Sequence, residues 1–205
     1  MTQTFADSLV VLDFETTGLS PGFGDRAIEI GSVRLEQGQV VGRFQALMDP
    51  GKPVSAFIEK YTGITNRMLS KAAPCNEVMH EFADFMGDSN LVAHNASFDK
   101  RFLDAELERI SRTYNGHFAC SLLVSRRLYQ DAPSHKLGSL ITYKNIPSEG
   151  GFHRALFDSQ MTAKLWMTML QDISQRIMAK EVPFRLIKRL EKTPKYAVSK
   201  LLQEQ

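Results

Sequence analysis

The first clear pattern is a run of apolar residues at positions 9–14 that only Asp13 interrupts. Side chains of a strand alternate between its two faces, so this segment is apolar on both and is predicted to be a central, covered strand. Its odd-numbered face ends in Asp13 and Glu15. Two carboxylates on a covered face are costly unless a cation meets them. The pattern therefore predicts a divalent metal at this end of the strand.

Alternating patterns predict more strands. Residues 27–35 and 40–48 alternate around a hairpin at 36–39, and short apolar segments at 90–94 and 117–120 complete the set. Helical spacing follows at 57–61, 66–69, 77–86, 96–110, 121–129, 136–142 and 154–179. An antiparallel meander followed by alternating strands and helices predicts an α/β fold. Its expected core is a central mixed five-stranded sheet with helices on both faces.

Two further acids are predicted to point inward. Asp99 begins the apolar stripe of the helix at 96–110, with Asn95 expected as its N-cap. Asp158 begins a second stripe, on the helix at 154–179. His153 can approach Asp158 only from a loop ahead of that helix, since five helical residues would turn it about 140° away. Taken singly, Asp99 could simply favour a helix N-terminus, and His153 could be structural or exposed.

Together these residues indicate a metal site. Asp13, Glu15, Asp99 and Asp158 come from three distant segments, and so many buried acids need a counter-charge. All-oxygen ligands suit two divalent metal ions, Mg²⁺ or Mn²⁺, in an arrangement used for displacement at phosphorus. His153 is suited to accept a proton near neutral pH.

Composition adds little to this picture, whereas the distribution of charge along the chain adds more. The 205 residues are 43% hydrophobic and 23% charged, and no apolar run is long enough to span a membrane. Two cysteines and an N-terminus without a basic signal segment predict a reduced, cytoplasmic protein. Residues 176–205 carry +5 and residues 1–175 carry −3. This division predicts a catalytic domain at 1–175, a basic C-terminal helical extension at 176–205, and a polyanionic substrate.

Three segments resemble the motifs of the DEDDh family of 3′–5′ exonucleases: Asp13-Phe14-Glu15-Thr16-Thr17-Gly18, His94-Asn95-Ala96-Ser97-Phe98-Asp99 and His153-Arg154-Ala155-Leu156-Phe157-Asp158. The family includes the proofreading epsilon subunit of bacterial DNA polymerase III, RNase T and oligoribonuclease. The resemblance implies a ribonuclease H-like fold. It also implies hydrolysis of nucleic acid 3′ ends to nucleoside 5′-monophosphates by a two-metal mechanism.

The resemblance also implies roles for individual residues. Asp13 would bridge both ions, Glu15 and Asp158 would complete one site, and Asp99 would hold the second ion. His153 would be the general base. The expected residues around the terminal nucleotide are Phe14, Thr16, Thr17, Leu19, Thr62, Asn95 and Phe98.

One segment departs from the epsilon pattern. Where epsilon subunits carry a histidine and a glutamate that contact the terminal nucleotide, this chain has Thr62 and Phe57. Thr62 can still offer a hydroxyl group, whereas Phe57 offers no polar atom. Nucleotide preference is therefore not transferable from epsilon subunits.

The favoured function is digestion of single-stranded DNA from the 3′ end, of the proofreading or repair type. The expected partners are a single-stranded 3′ end, DNA rather than RNA, with replication or repair proteins and no membrane. RNA trimming in the manner of RNase T or oligoribonuclease is the alternative, because stacking on aromatic rings does not separate DNA from RNA. A non-catalytic nucleic-acid-binding module is the third reading, and the complete set of acids disfavours it.

Overall fold

Six strands form one mixed sheet in a computed structural model that describes residues 4–148, 150 and 153–205. The strands are β1 Leu9–Thr16, β2 Ala27–Glu36, β3 Gln39–Asp49, β4 Ala73–Pro74, β5 Leu91–Ala93 and β6 Phe118–Cys120. Their order across the sheet is β4-β3-β2-β1-β5-β6. The β1–β2 and β2–β3 pairs are antiparallel, and the remaining pairs are parallel.

All five predicted strands are present, and the α/β class with a mixed sheet is confirmed. The sixth strand, β4, has only two residues, which pair with Met48 and Asp49. So short a strand has no alternating pattern, which is why the sequence gives no sign of it. The predicted hairpin joins β2 to β3 through Gln37 and Gly38, whose φ values of 50° and 77° match the type I′ turn typical of tight hairpins.

The helices are α1 Ala56–Thr62, α2 Asn66–Leu69, α3 Cys75–Met86, α4 Ser97–Arg109, α5 Ser121–Leu128, α6 Leu137–Tyr143, α7 Ala155–Ile177, α8 Phe184–Lys192 and α9 Val198–Gln203, with short 3-10 turns at Pro21–Phe23 and Lys195–Ala197. They cover both faces of the sheet. Leu9 and Val11 of β1 pack with α7, whereas Val10, Leu12 and Phe14 pack with α3 and α4. Over the described residues, no helix is both long and apolar enough to cross a bilayer.

The basic C-terminal segment is helical and packs into the core. Phe184 and Leu190 are buried in the cluster that surrounds α7. The backbone of this segment also bonds to the start of the chain, since Ala6 N donates to Val182 O (2.8 Å) and Phe184 N donates to Thr4 O (2.9 Å). Helix α7 continues past residue 175 and ends at Ile177. The division into a domain at 1–175 and an extension at 176–205 remains a prediction.

Candidate active site

Asp13 and Glu15 lie on the face of β1 that α7 covers, as the alternation predicts. Asp13 is opposite Gly31 in the neighbouring strand β2. A Cβ atom at Gly31 would overlap the Leu156 nitrogen and the Ala155 carbonyl carbon at the start of α7. The absence of a side chain at Gly31 therefore lets the first turn of α7 reach the sheet beside Asp13.

Asp158 is carried to the two β1 acids by this first turn. It is buried, and its Oδ2 accepts a hydrogen bond from His153 N (2.8 Å). Its Oδ1 is buried without a hydrogen-bond partner among the described residues. One oxygen from each of Asp13, Glu15 and Asp158 lies within 4.8 Å of the others, which is a group that could hold a metal ion. An orphaned buried oxygen in an all-oxygen group suits a hard divalent cation.

Asp99 contacts the backbone of β1 at Phe14. It is 2% exposed, and its Oδ1 accepts a hydrogen bond from Phe14 N at 3.1 Å. Asn95, the expected N-cap, does not cap α4. Residue Ala96 holds the cap position without a side-chain bond, and Asn95 adopts a left-handed conformation with φ 69°. Asparagine tolerates that conformation well, so a turn at residues 94–96 replaced the simple cap expected there.

Burial raises the pKa of all four acids, and like charges nearby add to the effect at Asp13, Glu15 and Asp99. Burial raises the pKa of Glu15 to about 8, and the nearby charges of Asp158, Glu29 and Asp99 act in the same direction. Burial likewise raises the pKa of Asp99 to about 7. The pKa of Asp13 and of Asp158 is also raised, in both cases chiefly by burial. Without a cation, this group therefore holds protons that carboxyl groups in water would release.

An ion pair between a buried glutamate and a partly exposed arginine, which the sequence patterns did not predict, supports the start of α7. Glu29 is fully buried opposite Glu15, and Arg154 donates to both of its oxygens, at 3.1 and 2.8 Å. Ala155 N also donates to Glu29 Oε2 (3.1 Å). Glu29 thus ties β2 to the segment that places His153 and Asp158. A charged residue within the apolar run 27–30 was the available sequence clue.

His153 precedes α7 in a loop, as predicted, and has a left-handed backbone with φ 72°. Its exposed ring packs against Tyr61, with 4.2 Å between the ring centroids. Tyr61 also stacks on Phe57, with centroids 5.8 Å apart and planes 12° apart. Tyr61 is not among the predicted substrate residues, although Thr62 beside it is, because only the tertiary fold brings α1 to His153.

Asp13 and Asp158 lie where two lobes of one cleft meet, and Tyr61, His94 and His153 also line both lobes. We call the first, of about 670 Å³, the aromatic lobe; its other lining residues are 14–19, Ser55, Phe57, Ile58, Thr62, Phe98 and Asp99. We call the second, of about 840 Å³, the basic lobe; its other lining residues are Asn95, Leu122, Arg126 and residues 134–139.

Six of the seven predicted substrate residues line the aromatic lobe: Phe14, Thr16, Thr17, Leu19, Thr62 and Phe98. Asn95 lines the basic lobe instead. The hydroxyls of the three threonines are already engaged. Thr16 donates to Gly18 O (2.6 Å), Thr17 donates to Asp25 Oδ1 (3.0 Å), and Thr62 donates to Ile58 O (2.9 Å). These threonines hold the shape of the lobe wall.

His94 ties the wall of the basic lobe to the sheet. Its Nε2 is 2.9 Å from the His135 carbonyl, which can only accept, so Nε2 carries the hydrogen. Its Nδ1 is 2.8 Å from the hydroxyl of Ser121 at the start of α5. Burial lowers the pKa of His94 to about 4, so the ring is neutral at physiological pH. His94 is a structural link between β5, α5 and the loop before α6.

A mixed sheet flanked by helices, with carboxylates of β1 and α7 converging at a cleft, is the ribonuclease H-like arrangement of a nuclease. The chain belongs to the RNase T family of exonucleases, whose sequence profile, described as Exonuclease, matches residues 10–166. It is a 3′–5′ exonuclease of the DEDDh type, a family that uses divalent metals.

Several relatives are PolC-type DNA polymerases III. The chain is 36% identical over 207 residues to the PolC-type DNA polymerase III of Caldanaerobacter subterraneus subsp. tengcongensis, a match that covers 96% of the chain and 14% of that protein. It is 39% identical over 176 residues to the corresponding Thermotoga maritima protein, covering 82% of the chain and 12% of that protein. The chain thus spans between about one-eighth and one-seventh of the length of these relatives.

Solved structures show the same fold. Exonuclease X in complex with 5′-overhanging duplex DNA is 27% identical in sequence and has a TM-score of 0.65. The superposition covers 80% of this chain and 91% of that one. The nuclease domain of 3′hExo, a DEDDh family member bound to rAMP, is 22% identical in sequence and has a TM-score of 0.70. The superposition covers 83% of this chain and 95% of that one.

Proposed function

We propose that this chain removes nucleotides from the 3′ end of single-stranded DNA and releases nucleoside 5′-monophosphates. The observation that carries the proposal is the group Asp13, Glu15 and Asp158, with its orphaned Asp158 oxygen at the meeting point of the two lobes. A scissile phosphate at that point would have room for nucleic acid on both sides.

Asp13, Glu15 and Asp158 would hold one divalent ion, and Asp13 with Asp99 a second, Mg²⁺ or Mn²⁺. When bound, such ions offset the charge that develops on the phosphoryl oxygens and the leaving oxygen. His153, beside Asp158 in the cleft, would take the proton of the attacking water. Phe57, Tyr61 and Phe98 offer ring faces to the terminal base and sugar in the aromatic lobe.

DNA is favoured over RNA because the relatives at 36 to 39% identity are DNA polymerases. By the same reasoning we propose a proofreading or repair role beside replication proteins. RNA remains the alternative substrate, since the 3′hExo domain was solved with rAMP. The engaged threonine hydroxyls of the aromatic lobe do not by themselves select against a 2′-hydroxyl.

Matched DNA and RNA oligomers, labelled at the 5′ end and incubated with Mg²⁺ or Mn²⁺, test the proposal. We expect shortening from the 3′ end, monophosphate products, and faster digestion of DNA. RNA consumed about tenfold faster would overturn the substrate assignment.

The Asp13→Ala variant should abolish hydrolysis and leave the protein folded, as judged by circular dichroism. Glu108→Ala is the matched control, because Glu108 is an exposed acid of α4 that does not line the cleft. Wild-type activity in Asp13→Ala would refute the role of the acidic group.

A further inference from the structure

The basic lobe carries two cations beside the acids. Arg126 of α5 and Lys136, just before α6, are both exposed and line the same cavity as Asp13 and Asp158. Neither forms an ion pair with any described acid. Apart from the two catalytic acids, no carboxylate lines this lobe within the described chain. Its charge is therefore free to meet an anion.

The wall that carries these cations is held in place. The carbonyl of His135, next to Lys136, is bonded to His94 at the end of β5. The His135 ring is bonded in turn to Tyr129 O (3.0 Å). On α5, Arg127 donates to Thr193 O (3.2 Å), which fixes the helix next to Arg126. Arg126 and Lys136 therefore both belong to segments that hydrogen bonds fix to the rest of the fold.

Resting on the proposed function, we infer that the basic lobe binds the phosphates that precede the scissile one. The terminal nucleoside of a 3′ end has a free 3′-hydroxyl, so its only phosphate is the scissile phosphate at the acids. Every other phosphate of the substrate lies on the upstream side. The uncharged ring faces of the aromatic lobe suit the terminal nucleoside, and Arg126 and Lys136 suit the upstream backbone.

This assignment predicts that loss of the two cations affects two substrates differently. A short single-stranded DNA oligomer would occupy both lobes, whereas the p-nitrophenyl ester of thymidine 5′-monophosphate has no upstream phosphate. In an Arg126→Ala/Lys136→Ala variant, the ratio of kcat/KM for the oligomer to kcat/KM for the ester should fall about tenfold. Lys136→Arg should keep a ratio near that of wild type, because the charge is retained.

Salt dependence supplies a second readout. Loss of two single-strand phosphate contacts should reduce the slope of log kcat/KM against log salt by about 1.4 for the oligomer. Lys71→Ala is the control, since Lys71 is exposed, lies between α2 and β4, and lines neither lobe.

The outcomes are distinguishable. If wild type cleaves both substrates and the double variant keeps the wild-type ratio and salt slope, the assignment of the basic lobe is wrong and the proposed function stands. An equal fall in the ratio for Lys71→Ala also overturns it, because the effect would then be one of overall charge. If wild type cleaves neither substrate, the proposed function itself fails and this inference with it.

Discussion

Replacing Glu15 by glutamine should stabilise the metal-free protein at alkaline pH. Glu15 is 8% exposed, and its pKa is raised from 4.5 to about 8 by burial and by the charges of Asp158 and Glu29. Its ionised form is therefore unfavourable in the folded state. Glutamine keeps the shape of the side chain and removes the charge.

The direction in which stability changes with pH follows from whether the folded or the unfolded state binds the proton more tightly. An unfolded Glu15 loses its proton near pH 4.5, whereas the folded protein keeps it until about pH 8. Between these values the folded state binds more protons, so the free energy of unfolding falls as pH rises. The stability from this group is fully present below pH 4.5 and is lost as pH passes 8. The full difference is about 5 kcal/mol. We expect at least about 2 kcal/mol of it, because neighbouring acids that keep their protons relieve part of the repulsion.

Urea unfolding with a chelator, at about pH 5 and about pH 8.5, measures this difference. Wild type should lose stability between the two pH values, and Glu15→Gln should lose at least about 2 kcal/mol less. Added Mg²⁺ should stabilise wild type at the higher pH more than it stabilises the variant. Glu108→Gln, an exposed change in α4, should follow wild type. A pH profile of Glu15→Gln that coincides with wild type would refute the reasoning.

Three other changes test how the site is built. Gly31→Ala forces the start of α7 away from β1, so both melting temperature and kcat should fall; Gly22→Ala, which has open space around it, is the control, and normal kcat in Gly31→Ala would contradict the close approach. Tyr61→Ala should lower kcat, because His153 loses the ring that packs against it, and raise KM, because the terminal nucleotide loses a ring face. Tyr61→Phe should restore both values; equal losses in both variants would point to the hydroxyl instead. Arg154→Ala leaves the buried Glu29 without its cation and should lower the free energy of unfolding by about 2–3 kcal/mol, measured by urea unfolding; an unchanged value would mean that Ala155 N and Gln45 alone satisfy Glu29.

Local patterns were enough to predict five of the six strands and the helices, because each pattern depends on neighbours in sequence. Alternation in β1 separated the face bearing Asp13 and Glu15 from the face bearing Phe14, and the structure packs the two faces against different helices. Helical spacing likewise predicted that Asp99 and Asp158 face the core, and both are buried there. The predictions failed where the pattern was too short or a turn intervened, as at β4 and Asn95.

By itself, the sequence determined the elements, the inward direction of the four acids and the family. Only the tertiary structure decided which oxygens meet, because that depends on how closely α7 approaches β2 at Gly31 and on the Arg154–Glu29 pair that anchors its start. It also decided that Tyr61 contacts His153 and that Arg126 and Lys136 share a cavity with the acids. These contacts join residues far apart in sequence, and no periodicity along one segment records the distance between two segments.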